Sequence, residues 1–135
     1  MSAVLLAYNF EEKTLKALRA LCRRMDVRLK AAKREEYFQP VGAFIGQEKR
    51  IEADPDAPAL AGQMLVFCQF PEKQFSAFYT QLRNARLAPD ALKAVLTETN
   101  AKWDAYTLYA QLADEQRRMR EAVEKVKEDA AQAKK

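Results

Sequence analysis

Apolar residues recur along the chain in two rhythms. Val4-Leu5-Leu6-Ala7 and Met64-Leu65-Val66-Phe67-Cys68 are continuous apolar runs bounded by polar residues, the pattern of central strands covered on both faces. Val27-Arg28-Leu29-Lys30-Ala31 alternates and Ala91-Leu92-Lys93-Ala94-Val95-Leu96 nearly does, as outer strands with one wetter face do. Within each pair the spacing becomes helical. Leu15, Leu18, Leu21, Cys22 and Met25 predict an amphipathic helix over Glu11–Met25. Phe75, Phe78, Tyr79 and Leu82 predict a second over Glu72–Arg86, with Pro71 at its start. From about Asp104 there is no proline or glycine, and Ala105, Tyr109, Leu112, Gln116, Met119, Val123, Val126 and Ala130 keep a three-four spacing. That is one helix of roughly 40 Å, longer than a small domain covers, so its last turns project or pair with another chain.

The two halves repeat. At an offset of 60, Leu5/Leu65, Phe10/Phe70, Glu12/Glu72, Lys13/Lys73, Ala17/Ala77 and Arg23/Arg83 are identical, and Leu29-Lys30-Ala31 matches Leu92-Lys93-Ala94 after a three-residue shift. The stretch from Lys33 to Gln63 is long for a bare loop and predicts a short helix over Val41–Ile45, ended by Gly46, and an exposed turn at Asp54–Pro58. A helix-bearing connection favours parallel pairing, so the expected fold is α/β: a four-stranded parallel sheet in order 2-1-3-4 with helices on both faces and a long C-terminal helix. The alternative is a ferredoxin-like βαββαβ sandwich with an enlarged hairpin.

A chain of 135 residues fits one α/β domain, placed at residues 1–113, with 114–135 as a projecting or disordered extension of the last helix. Three glycines, Gly42, Gly46 and Gly62, cannot supply a phosphate loop or a dinucleotide fingerprint. The absence of histidine removes imidazole bases and histidine metal sites. Cys22 and Cys68, far apart in apolar settings, read as reduced core thiols, Cys68 being the better candidate for reactivity. No catalytic or metal constellation stands out, no cofactor is expected, and an enzyme is the weakest of three readings. Met1–Phe10 lacks the features of a signal peptide and no apolar run is long enough for a membrane span, which points to a cytoplasmic protein. The net charge of +4 hides an asymmetry: residues 13–34 carry nine Lys/Arg against one acid, and residues 35–72 two against seven. The two stretches either bear a field or neutralise one another when the chain folds.

At Ala91-Leu92-Lys93-Ala94-Val95-Leu96-Thr97-Glu98-Thr99-Asn100-Ala101-Lys102-Trp103 the sequence resembles a bacterial domain-of-unknown-function family, number 3783. Met64-Leu65-Val66-Phe67, Leu5–Phe10 and Glu36–Gly42 resemble it too, so that the resemblance covers most of residues 4–115, with Gln69 in place of a small residue before Phe70. The resemblance implies a cytoplasmic bacterial protein and brings no activity, ligand or catalytic residue with it.

In the parallel sheet, a crevice beyond the strand ends would gather Asn9 and Gln69, with Thr97, Thr99, Asn100 and Trp103 nearby, amides and hydroxyls suited to a carboxylate or phosphate. The competing reading makes Thr99 or Asn100 a helix cap and Trp103 a packing anchor. The leading function is a non-catalytic module binding a small anion or a protein partner, with homodimerisation through the C-terminal helix as one form of the latter. The second is a nucleic-acid accessory protein using Lys16, Arg19, Arg23, Arg24, Arg28 and Lys30, although no aromatic residue lies among them for base stacking.

Overall fold

The computed structural model describes residues 2–133. Its elements are β1 (Val4–Tyr8), α1 (Glu12–Arg24), β2 (Arg28–Ala32), β3 (Met64–Cys68), α2 (Glu72–Asn84), β4 (Leu92–Val95) and α3 (Ala105–Ala133). Three 3₁₀ turns occupy Arg34–Glu36, Val41–Ile45 and Asn100–Lys102. The Val41–Ile45 turn ends at Gly46, whose φ of 78° is the left-handed geometry glycine adopts without cost.

The strand order is 2-1-3-4. The pairs β1/β2 and β3/β4 are parallel, but the central pair β1/β3 is antiparallel, with Val4 opposite Cys68 and Tyr8 opposite Met64. The expectation of an all-parallel sheet therefore fails at its middle. The Lys33–Gln63 connection starts and finishes at the same end of the sheet, where β2 stops and β3 begins; it lies over one face instead of crossing to the other end. A βαββαβ sandwich shares this reversal but not the observed order. Two right-handed β-α-β units running outward from an antiparallel centre put both crossover helices on one face. In an all-parallel sheet of this order they would lie on opposite faces.

That face buries Leu5, Ala7, Leu65 and Phe67 against Leu18, Leu21 and Cys22 of α1 and Phe78 and Leu82 of α2. The alternate residues Leu6, Tyr8, Met64, Val66 and Cys68 meet Tyr37, Val41, Ala105 and Leu108 on the other face, beneath α3 and the long connection. The internal repeat is carried through in the backbone. Asn9 and Gln69 have φ of 69° and 60°, and Asp26 and Arg86 have 56° and 54°, each pair 60 residues apart at a matching junction. The repeat slips at the outer strands, where Val4 pairs with Arg28 but Met64 pairs with Leu92, an offset of 64. A one-residue slip turns a strand over. Lys30 and Lys93, aligned by sequence identity, consequently project from opposite faces of the sheet.

Candidate functional site

The antiparallel centre separates residues that a parallel sheet would gather. Asn9 lies at the end of the sheet where β1 finishes, and its Nδ2 donates to the carbonyls of Leu60 and Gly62 at 3.3 and 3.0 Å. It ties down the long connection and shares no crevice with Gln69, which sits at the opposite end, after β3. Thr97, Thr99, Asn100 and Trp103 follow β4 at the same end as Gln69 but line different space. The Asn100 side chain accepts from the Thr97 amide at 2.8 Å, and the Thr97 hydroxyl accepts from the Asn100 amide at 3.0 Å. Asn100 Nδ2 also donates to the Val95 carbonyl at 3.1 Å. These two side chains form a reciprocal cap that brackets Thr99, which itself makes no side-chain capping bond.

The capped turn has a structural task. The Val41 amide donates to the Trp103 carbonyl at 2.8 Å, and a Cβ on Gly42 would stand 2.8 Å from the Ala101 Cβ. Only glycine permits this approach, which seats the Val41–Ile45 turn against the Asn100–Lys102 turn. Trp103, half-buried, packs into the core beneath α3 as an anchor.

The brace holds Phe44 and Ile45 over a cleft of about 550 Å³ lined also by Ser2, Val4, Arg28, Leu29, Lys30 and Gln69. Gln69 thus shares a cleft with Arg28 and Lys30, the strand residues that the sequence groups with the bases of α1 as one nucleic-acid surface. Strand alternation is the reason: Leu29 faces α1, so Arg28 and Lys30 project on the other side of the sheet. The basic set is split, with Lys16, Arg19, Arg23 and Arg24 exposed on α1 and making no ion pair among the described residues.

Behind the cleft lies Glu36, only 8% exposed. Its carboxylate accepts from Arg50 at 2.8 Å and from the Lys33 amide at 3.0 Å, with Lys30 Nζ at 3.4 Å. Burial pushes its pKa up, but these donors and the nearby cations outweigh it and leave the carboxyl below its ordinary value. Lys30 and Arg50 also stand over the Phe44 ring, each 5.6 Å from its centroid. Lys30 with Glu36 joins the basic stretch to the acidic one, one of the two outcomes the charge asymmetry allows, while Arg50 belongs to the acidic stretch itself and Lys16, Arg19, Arg23 and Arg24 stay unpaired among the described residues. Tyr8 packs edge-on against Phe44, and its buried hydroxyl has no hydrogen-bond partner among the described residues; burial raises its pKa far above the usual phenol range. Sequence reasoning missed Ser2, Phe44, Ile45, Glu36 and Arg50, which the long connection and the chain start deliver to the site. The one available signal was the alternation of Arg28 and Lys30 about Leu29.

The segment that follows the brace into α3 is also the segment with a known counterpart. Residues 63–119 match the domain of unknown function DUF3783. No curated protein and no solved structure matches the chain. The DUF3783 match spans β3, α2, β4, the capped turn and the first half of α3, so it includes the Ala91–Trp103 string; Leu5–Phe10 and Glu36–Gly42 lie before it. Of the cleft residues it contains Gln69 alone.

Among the described residues no group of three or more Cys, Asp or Glu comes together to hold a metal, and no helix is long and apolar enough to cross a membrane. Cys22 and Cys68 are both buried, and burial pushes both thiols up to about 12. At pH 7.5 the thiolate fraction of each is on the order of 10⁻⁴ or less. A chromogenic disulfide reagent should leave the native protein essentially unmodified over an hour and titrate two thiols in urea. Rapid reaction of either cysteine in the native state would refute this placement.

Proposed function

We propose that the protein is a non-catalytic binding module whose cleft takes a small anion bearing an apolar or aromatic part. The observation that carries this reading is the convergence of Arg28 and Lys30 with the Gln69 segment around Phe44 and Ile45. Guanidinium and ammonium groups suit a carboxylate or phosphate, and the apolar wall gives a ring or chain a surface to cover. Buried Glu36 neutralises part of the charge of Lys30, leaving Arg28 as the cleft-lining cation with no ion-pair partner among the described residues. Arg28 is therefore the principal anchor.

The nucleic-acid reading is weaker, because the bases it needs divide between two faces of the sheet. A bacterial, cytoplasmic setting belongs with the proposal and rests on the family resemblance.

Phenyl phosphate is a suitable probe. Calorimetric titration should give a dissociation constant on the order of 1 mM. Replacing Arg28 by Gln should weaken it roughly tenfold or more, the usual worth of a hydrogen bond to a charged group. Equal affinity in the two proteins would rule Arg28 out as the anchor.

A further inference from the structure

Leu112 is the last α3 residue packed into the core, and the described side chains from Glu115 to Gln132 are exposed. Met119, Val123 and Val126 are 69%, 48% and 67% exposed on this projecting segment. They fall on a heptad seam that begins where the core contact of Leu112 ends: Met119 and Val126 occupy one core position, and Gln116, Val123 and Ala130 the other. We infer that this seam pairs with the same seam of a second copy of the chain, as a parallel two-helix coil.

Charge selects both the occupant and its direction. The positions flanking the seam are acidic on one side, Glu115 and Asp129, and basic on the other, Arg120 and Lys127. In a parallel pair, Glu115 of each helix meets Arg120 of the other, twice by symmetry. An antiparallel pair would set acidic flank against acidic flank and basic against basic, Glu115 near Asp129 and Arg120 near its own copy, like against like. The outer face is matched internally, with Asp114 bridging Arg117 at 2.6 Å and Arg118 at 3.0 Å. Beside the seam, Glu115 bonds only to Gln111 and Arg120 only to Gln116 among the described residues. Gln116 supplies a second constraint. A parallel register stacks it on its own copy, where two amides bond to each other, while other registers bury it against apolar neighbours.

Charge reversal in the full-length protein tests this by sedimentation equilibrium at low salt. The wild type should dimerise reversibly. Glu115→Arg alone and Arg120→Glu alone should each weaken dimerisation about fivefold or more, and the double variant should regain at least half of the loss on a logarithmic scale. Both residues are exposed, so the variants should keep the wild-type far-ultraviolet spectrum. A wild type that stays monomeric at 1 mM would overturn the inference. Dimerisation indifferent to the single reversals, or weakened further by the double one, would overturn it equally. A monomer that still binds phenyl phosphate would leave the proposed cleft standing.

Discussion

Phe67→Ala is expected to lower the unfolding free energy by about 3–5 kcal/mol, the range for truncating a fully enclosed aromatic side chain. Phe67 is 2% exposed and is the penultimate residue of β3. Its ring meets Phe70, Phe75 and Phe78 edge-on, with centroids 5.4, 5.0 and 6.2 Å away. These neighbours sit on α2 or in the junction before it, so collapse into the vacated space would require α2 to move on the sheet. Total stability for a domain of this size is about 5–15 kcal/mol, so the variant should unfold at far lower urea concentration. A loss below 1 kcal/mol would mean that this face repacks freely and that α2 is not seated as described.

Glu36→Ala should cost about 1.5–3 kcal/mol at pH 7, because it removes a carboxylate that accepts from Arg50 and from the Lys33 amide. The lower end is expected, since Lys30 and Arg50 side chains are 40% and 55% exposed and rehydrate when released. The sign of the pH dependence follows from the lowered pKa. The native state favours the charged form, so Glu36 contributes fully above its unfolded-state value of about 4.3 and loses that contribution as the pH falls through its folded-state value. Urea midpoints measured from pH 7 down to pH 3 should fall less steeply for Glu36→Gln than for the wild type. Parallel curves would show that Glu36 is not held charged by its neighbours.

The elements were legible in the sequence because each is a local periodicity. β3 falls on Met64–Cys68 as read, and α1 and α2 lie within the predicted limits. The order 2-1-3-4 was legible too, since the most apolar strands belong in the middle. The direction of β3 was not. A connection of about thirty residues containing a turn of helix fits either a crossover or a cover over one face, and only contacts distant in sequence decide between them. Asn9 bonding to Leu60 and Gly62, and Gln39 bonding through both side-chain ends to Ile51, are such contacts.

The site failed in the sequence reading for the same reason. Asn9 and Gln69 are equivalent in the repeat, and an antiparallel centre sends equivalent residues to opposite ends of the sheet. The sequence offers Thr99 or Asn100 as a cap and Thr97 as a ligand, whereas the mutual bonds of Thr97 and Asn100 make those two the cap. Arg28 and Lys30 were read with α1 because they follow it in the chain, whereas strand alternation places them across the sheet beside Phe44. Pairing between the basic and acidic stretches was legible as one of two outcomes, but its confinement to Lys30 and a single buried carboxylate was not.

The most direct test of the cleft is a two-dimensional amide NMR titration of the labelled protein with phenyl phosphate. Saturable shifts are expected at Ser2, Arg28, Leu29, Lys30, Phe44, Ile45 and Gln69, with the amides of α1 and of Thr97–Trp103 little changed. Shifts centred on Lys16–Arg24 of α1, or no saturable shift anywhere at 10 mM, would contradict the proposed cleft.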